Sequence, residues 1–97
     1  MREVFYHRSV PKEVREILEY YESISPFLAD HFWMELSEAI EEARKYPEKY
    51  HFDSSGRRRC NLKRFPYHFL FRVFESYIRI TVVRHHHRSS EYEAGRQ

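Results

Sequence analysis

The side chains best suited to chemistry in this sequence are cationic, imidazole and phenol groups that follow Gly56. The group comprises Arg57, Arg58, Arg59, Lys63, Arg64, His68, Arg72, Arg79, Arg84, His85, His86, His87, Arg88, Tyr92 and Arg96. Arginine and lysine bind phosphates through charge and hydrogen bonds. RNA cleavage by the 2′-hydroxyl needs a base, cations beside the phosphate and an acid for the leaving oxygen, and His, Arg and Tyr can fill these roles without a metal. These residue types therefore favour phosphate binding or RNA cleavage.

Simpler interpretations of the same residues stay open. Arg57 and Arg79 would be ordinary solvated side chains on a solvent-facing strand. The consecutive histidines 85–87 point in alternating directions at a strand end, so we expect no metal site and no cofactor. Cys60 is the one cysteine of the chain. Because it shares a strand face with Leu62, we expect a buried, inert thiol.

Charge is distributed unevenly along the chain. Residues 1–56 carry a net charge of −5 and residues 57–97 a net charge of +7, which together give the overall +2. Within one small domain this asymmetry makes a dipolar surface. It favours a phosphate-facing or acid-facing region in the C-terminal half, although solvated arginines would give the same charge count.

Two helices are predicted in the acidic half. Val14, Ile17, Leu18 and Tyr21 form an amphipathic stripe over residues 11–24. Ser25-Pro26 has the form of an N-cap and first helical residue, and starts a second helix. That helix continues through Leu28, Phe32, Leu36, Ala39, Ile40 and Ala43 until Pro47 stops it. With almost no loop between them, the two segments form a helical hairpin.

Strands are predicted before and after the hairpin. Residues 3–7 are β-prone, and residues 57–62, 67–74 and 77–84 follow the turn at 52–56. In the last strand, Ile78, Ile80 and Val82 alternate with Arg79 and Thr81. The order β-α-α-β-β-β predicts an α+β fold, with the hairpin packed on a small, mainly antiparallel sheet.

Length and composition indicate one domain over residues 1–97. Typical domains have about 100–150 residues, and 18% of this chain is aromatic, far from the composition of a disordered tail. The sequence has no apolar run of membrane-spanning length and does not open on a signal peptide. We therefore expect a cytoplasmic protein that does not bind membranes.

Several of these features together are similar to one family. Arg64-Phe65-Pro66-Tyr67 precedes an aromatic-rich strand, a tight turn and a strand ending in His85. Arg88 and Tyr92 follow in a His-xx-Arg-xxx-Tyr pattern. With Ser25-Pro26 and Pro47 upstream, this order resembles the RelE/ParE toxins of type II toxin–antitoxin, or plasmid stabilisation, systems over nearly the whole chain. The resemblance implies the same fold, a cognate antitoxin and a hetero-oligomer with it.

The resemblance implies two possible targets. The leading interpretation is the branch that inhibits growth by cutting messenger RNA on the ribosome, and its catalytic set here would be Arg59, His68, His85, Arg88 and Tyr92. Residues for nucleic-acid or target binding would be Arg57, Arg58, Lys63, Arg64, Arg72, Arg84 and His86. The other branch blocks DNA gyrase and needs no catalysis. His68 stands where nuclease members usually have Arg, and Asn61 where they have a further basic residue. A non-toxic nucleic-acid-binding module is the third possibility.

Two features bear on the antitoxin. Its tail is expected to fold on binding and to pair carboxylates with the basic half of the toxin, including Arg58, Arg59 and Arg64. Trp33 lies off the main helical stripe. It is either a residue of a wide core stripe or an exposed anchor for a partner.

Overall fold

Two helices cover one face of a four-stranded sheet in the computed structural model, which describes residues 1–87. The elements are β1 (Glu3–Tyr6), α1 (Val10–Ile24), α2 (Pro26–Lys45), a single 3-10 turn (Pro47–Lys49), β2 (Arg58–Asn61), β3 (Tyr67–Val73) and β4 (Tyr77–His85). The predicted order and the α+β class are confirmed. No helix within residues 1–87 is long and apolar enough to cross a membrane.

The helical hairpin forms as its local signals predict. Pro11 lies in the first turn of α1, where its missing N–H costs no hydrogen bond. Ser25 ends α1 and begins α2, and its side-chain oxygen accepts a hydrogen bond from the Phe27 N–H at 3.2 Å. Pro47 follows the last turn of α2. These residues hold the two helices antiparallel with almost no connecting loop.

The sheet has the strand order β1-β4-β3-β2. β2 to β4 are antiparallel, while β1 pairs parallel with β4, Glu3 lying opposite Tyr77. Side chains on the helix side form the core with Ile17 and Tyr21 of α1 and Phe32 and Leu36 of α2. The opposite side of the sheet, called the helix-free face below, carries several of the predicted functional residues.

A bulge in β4 corrects the predicted alternation. Leu70 lies opposite Val82 and Phe71 opposite Ile80, so Thr81 is the additional residue. The Thr81 hydroxyl donates to the Leu70 carbonyl at 3.2 Å. As a result Val82 faces away from the helices, and Val83 takes the core position that the sequence pattern assigned to Val82.

Candidate functional site

The strand register brings several predicted site residues together on the helix-free face. His68 of β3 lies between Asn61 of β2 and Arg84 of β4. Arg59 lies one row away on the same face, opposite Leu70. His68 and Arg72, which alternate onto one face of β3, therefore share that face with Arg59 of β2.

His68 is the centre of a hydrogen-bonded network. Arg84 Nε donates to His68 Nε2 at 2.9 Å, so the ring proton of a neutral His68 lies on Nδ1. That Nδ1 is 3.0 Å from His86 Nδ1, which then accepts. The two ring planes are within 11° of each other with centroids 5.2 Å apart, as expected for a bond in the plane of both rings. An Arg59 Nη2 atom approaches His86 Nδ1 at 3.5 Å.

This environment keeps His68 neutral. Burial, which has the largest effect, and the charges of Arg59, Arg84 and His86 together lower the pKa of His68 to about 3. Burial, followed by Arg59, also lowers the pKa of His86. Only 1% of His68 is exposed. A side chain that is buried, neutral and bonded at both nitrogens is not placed to take a proton from RNA or to contact a phosphate.

The network has a measurable consequence for stability. The unfolded chain takes up a proton on this histidine near pH 6.5, whereas the folded chain does so only near pH 3. Acid therefore favours unfolding, and the free energy of unfolding should fall by about 2 kcal/mol between about pH 7.5 and pH 5. A His68→Gln variant keeps a hydrogen-bond donor and an acceptor but has no group that titrates at this position. Its free energy of unfolding should therefore fall less between these two pH values. Urea unfolding at the two pH values measures it, and equal losses in both proteins would contradict it.

Two arginines that the sequence assigned to target binding are buried and hydrogen-bonded within the fold. Arg57 is 2% exposed, and its Nη1 donates to Thr81 Oγ1 at 2.9 Å. Arg84 is 8% exposed and supports His68. The interpretation of Arg57 as a solvated side chain is wrong, because its guanidinium group is buried and hydrogen-bonded inside the fold. The assignment of Arg57 and Arg84 to target binding remains a prediction.

The remaining predicted catalytic residues do not all join this network. The His85 ring lies edge-on to Tyr67 with centroids 5.2 Å apart, and Tyr67 packs against Phe32 of α2. The His85 ring therefore contacts Tyr67 and not the His68 ring, although its centroid is 6.4 Å from that of His86. Arg88 and Tyr92 lie outside the described residues, so their roles remain predictions.

The other predicted binding residues lie around the edge of β2. Arg58 Nη1 donates to the Tyr50 carbonyl at 2.8 Å, and its guanidinium lies 4.3 Å from the centre of the Phe52 ring. Lys63 and Arg64 are exposed, and their backbone N–H groups donate to the Glu35 carboxylate of α2. Arg72 is half-buried on the helix-free face. Their assignment to target binding remains a prediction.

Cys60 has the inert character that the sequence predicted. The thiol is buried, and burial raises its pKa to about 11. It is therefore protonated at neutral pH. Across residues 1–87, no three His, Cys, Asp or Glu side chains are grouped so as to hold a metal ion.

An apolar groove on the opposite side of the molecule was not predicted. It has a volume of about 770 Å³ and lies between β1, α1 and α2. Its lining includes Val4, Val14, Leu18, Trp33, Leu36 and Ile40. Trp33 is 53% exposed, so the partner-anchor interpretation fits its position better than a core role. Its place off the main helical stripe was the sequence signal for this groove.

Comparison with known structures identifies the class of fold. A chain from the chromosomal ParDE TA system from P. aeruginosa aligns with a TM-score of 0.75 at 20% sequence identity. The alignment covers 88% of this chain and 96% of that chain. At this identity the likeness establishes the fold. A comparison with curated proteins finds no match.

The family follows from the sequence match. The family model described as ParE toxin of type II toxin–antitoxin system, parDE, matches residues 4–90. The chain therefore belongs to the ParE toxin family, and the predicted RelE/ParE resemblance is confirmed. Membership of this family implies an antitoxin partner.

Proposed function

We propose that this ParE-family toxin stops growth by binding DNA gyrase, without cutting RNA. The state of His68 is the observation that carries the proposal. In an RNA-cleaving mechanism this position would stabilise the phosphate or move a proton. Here the imidazole is buried and neutral, with hydrogen bonds at both ring nitrogens.

The proposal revises the order of the two mechanisms. Cleavage of ribosome-bound messenger RNA was the leading interpretation of the sequence, and gyrase inhibition was its alternative. Membership of the ParE family favours the gyrase-directed branch. A protein that acts by binding needs an accessible surface and tolerates the loss of any one titratable group.

We expect the purified protein to inhibit supercoiling of relaxed plasmid by gyrase and to leave ribosome-bound messenger RNA intact. The His68→Gln variant should inhibit gyrase as well as the parent, because His68 is not part of a reaction. Loss of an acid–base residue would instead lower a cleavage rate by about 10²–10⁴. Supercoiling assays and primer extension on messages from expressing cells measure the two activities.

The same experiment can overturn the proposal. Ribosome-dependent cuts that disappear in a folded His68→Gln protein would establish RNA cleavage. Normal supercoiling at a saturating toxin concentration would exclude gyrase. Circular dichroism of both proteins separates a lost activity from a lost fold.

For the antitoxin, we propose that an apolar helix or strand of its tail fills the groove beside Trp33. Membership of the ParE family implies an antitoxin as the partner. The volume of the groove is in the range of pockets that bind ligands. The groove rim carries Arg15 and Arg44 as well as Glu41. Amphipathic segments bind such grooves through a few apolar anchors.

A further inference from the structure

Two arginines on the helix-free face lie directly opposite each other. Arg72 of β3 and Arg79 of β4 are Cα partners, and both are half-buried. Like charges in directly opposed positions destabilise a sheet. Within residues 1–87, the ion pairs involve neither of them, and the Nε atom of each is buried without a hydrogen-bond partner. The fold therefore keeps a costly cationic pair, and the Nε donor of each arginine has no hydrogen-bond partner within residues 1–87.

Aromatic rings continue this surface on the adjoining strands. Phe5 of β1 is the Cα partner of Arg79, and its ring lies edge-on to Tyr77 at a centroid distance of 5.3 Å. Tyr77 stacks on Phe74 at 4.5 Å with an interplanar angle of 17°. Phe5 is 48% exposed and Phe74 39%. Exposed rings and half-buried guanidinium groups thus lie side by side.

We propose that Arg72, Arg79, Phe5, Phe74 and Tyr77 form a binding surface for single-stranded nucleic acid. This set is called the arginine–aromatic patch. Guanidinium groups match the geometry of phosphate oxygens, and exposed rings provide faces on which bases stack. Departures from the usual rules of a stable sheet are expected at functional positions.

The exposed aromatic rings favour a nucleic acid over an acidic protein segment as the ligand of the arginine–aromatic patch. Carboxylates of a peptide would satisfy the two arginines but would leave the exposed aromatic faces in water. A single-stranded nucleic acid uses both, because every base has a face that stacks. Glu3, the Cα partner of Tyr77, is exposed at the end of the patch and forms no ion pair with either arginine.

Fluorescence anisotropy with labelled oligo-dT and oligo-U of about 12 nucleotides tests the proposal on the full-length protein. Arg72→Gln/Arg79→Gln should weaken binding about tenfold at low salt. It should also reduce the slope of log K against log salt by about 1.4, as loss of two phosphate contacts to a single strand requires. Phe5→Leu, which stays apolar but cannot stack, should weaken binding about fivefold. The two oligonucleotides distinguish DNA from RNA.

A matched control removes the same charge elsewhere. Arg8 and Lys45 are exposed and lie outside the patch. Arg8→Gln/Lys45→Gln should keep the affinity within about twofold, because the contact is local. Relief of repulsion should leave the urea midpoint of the Arg72→Gln/Arg79→Gln protein unchanged or raised.

Three results would overturn the proposal. An equal loss of affinity in the Arg8→Gln/Lys45→Gln protein would mean that binding depends on net charge alone. A lowered urea midpoint in the Arg72→Gln/Arg79→Gln protein would make the arginines structural. Competition by poly-glutamate as effective as that of unlabelled oligonucleotide would assign the patch to an acidic protein. Because gyrase is absent from this assay, its outcome is independent of the supercoiling test.

Discussion

Replacement of Trp33 by alanine is expected to weaken antitoxin binding about a hundredfold. The ring lies on the wall of the apolar groove and is 53% exposed in the toxin alone. Tryptophan is enriched among the residues that dominate binding energy, because a large ring buried by a partner removes much apolar surface from water. Since the side chain is only partly buried before binding, its loss should cost the fold much less than it costs the complex.

Trp33 also reports on the groove directly. It is the one tryptophan of the chain, so its fluorescence comes from this position alone. Titration with a tryptophan-free antitoxin segment should shift the emission to shorter wavelength as the ring leaves water. Calorimetric titration of the parent and Trp33→Ala proteins gives the affinities.

The competing prediction places the antitoxin on the basic half. Under that prediction, neutralising Arg58, Arg59 and Arg64 together would cost more affinity than Trp33→Ala, and salt would weaken the complex strongly. Under the groove proposal, the triple variant has the smaller effect. An unshifted emission spectrum at saturation would contradict the groove proposal.

The fold was predictable because its signals are local. The 3.6-residue period of α1 and α2, the Ser25-Pro26 cap and the stop at Pro47 depend only on neighbouring residues. The parallel pairing of Glu3 with Tyr77 was not predictable in this way, since it joins distant segments. The bulge at Thr81 was also missed, because a single additional residue leaves no mark in an alternating pattern.

The sequence indicates which face of a strand a site residue occupies, but not whether its side chain is buried. Alternation of side chains along β3 is enough to place His68 and Arg72 on the same face of that strand. It could not tell that His68 and Arg57 would be enclosed, because arginine and histidine are ordinarily found at the surface or partly exposed. The deciding contacts, from Arg84 to His68 and from Arg57 to Thr81, join different strands. These contacts can be recognised only once the register of the strands in the folded sheet is known.

We therefore expect Arg57 to stabilise the folded protein. Its Nη1 donates to the hydroxyl of Thr81 at the β4 bulge, and its Nε donates to Ser55 Oγ at 2.9 Å. The side chain thus ties the turn before β2 to the irregular part of β4. Arg57→Ala should lower the free energy of unfolding by about 3 kcal/mol, because it removes a buried, hydrogen-bonded cation together with its packed stem.

Urea unfolding of three variants separates the causes of this loss. Arg57→Met keeps most of the side-chain stem but removes the charge. The difference between the losses of stability in Arg57→Ala and Arg57→Met therefore measures the contribution of stem packing. Arg64→Ala removes an exposed arginine nearby and should change stability by no more than about 0.5 kcal/mol. A loss below about 1 kcal/mol in Arg57→Ala would contradict the structural role, because a surface arginine behaves in that way.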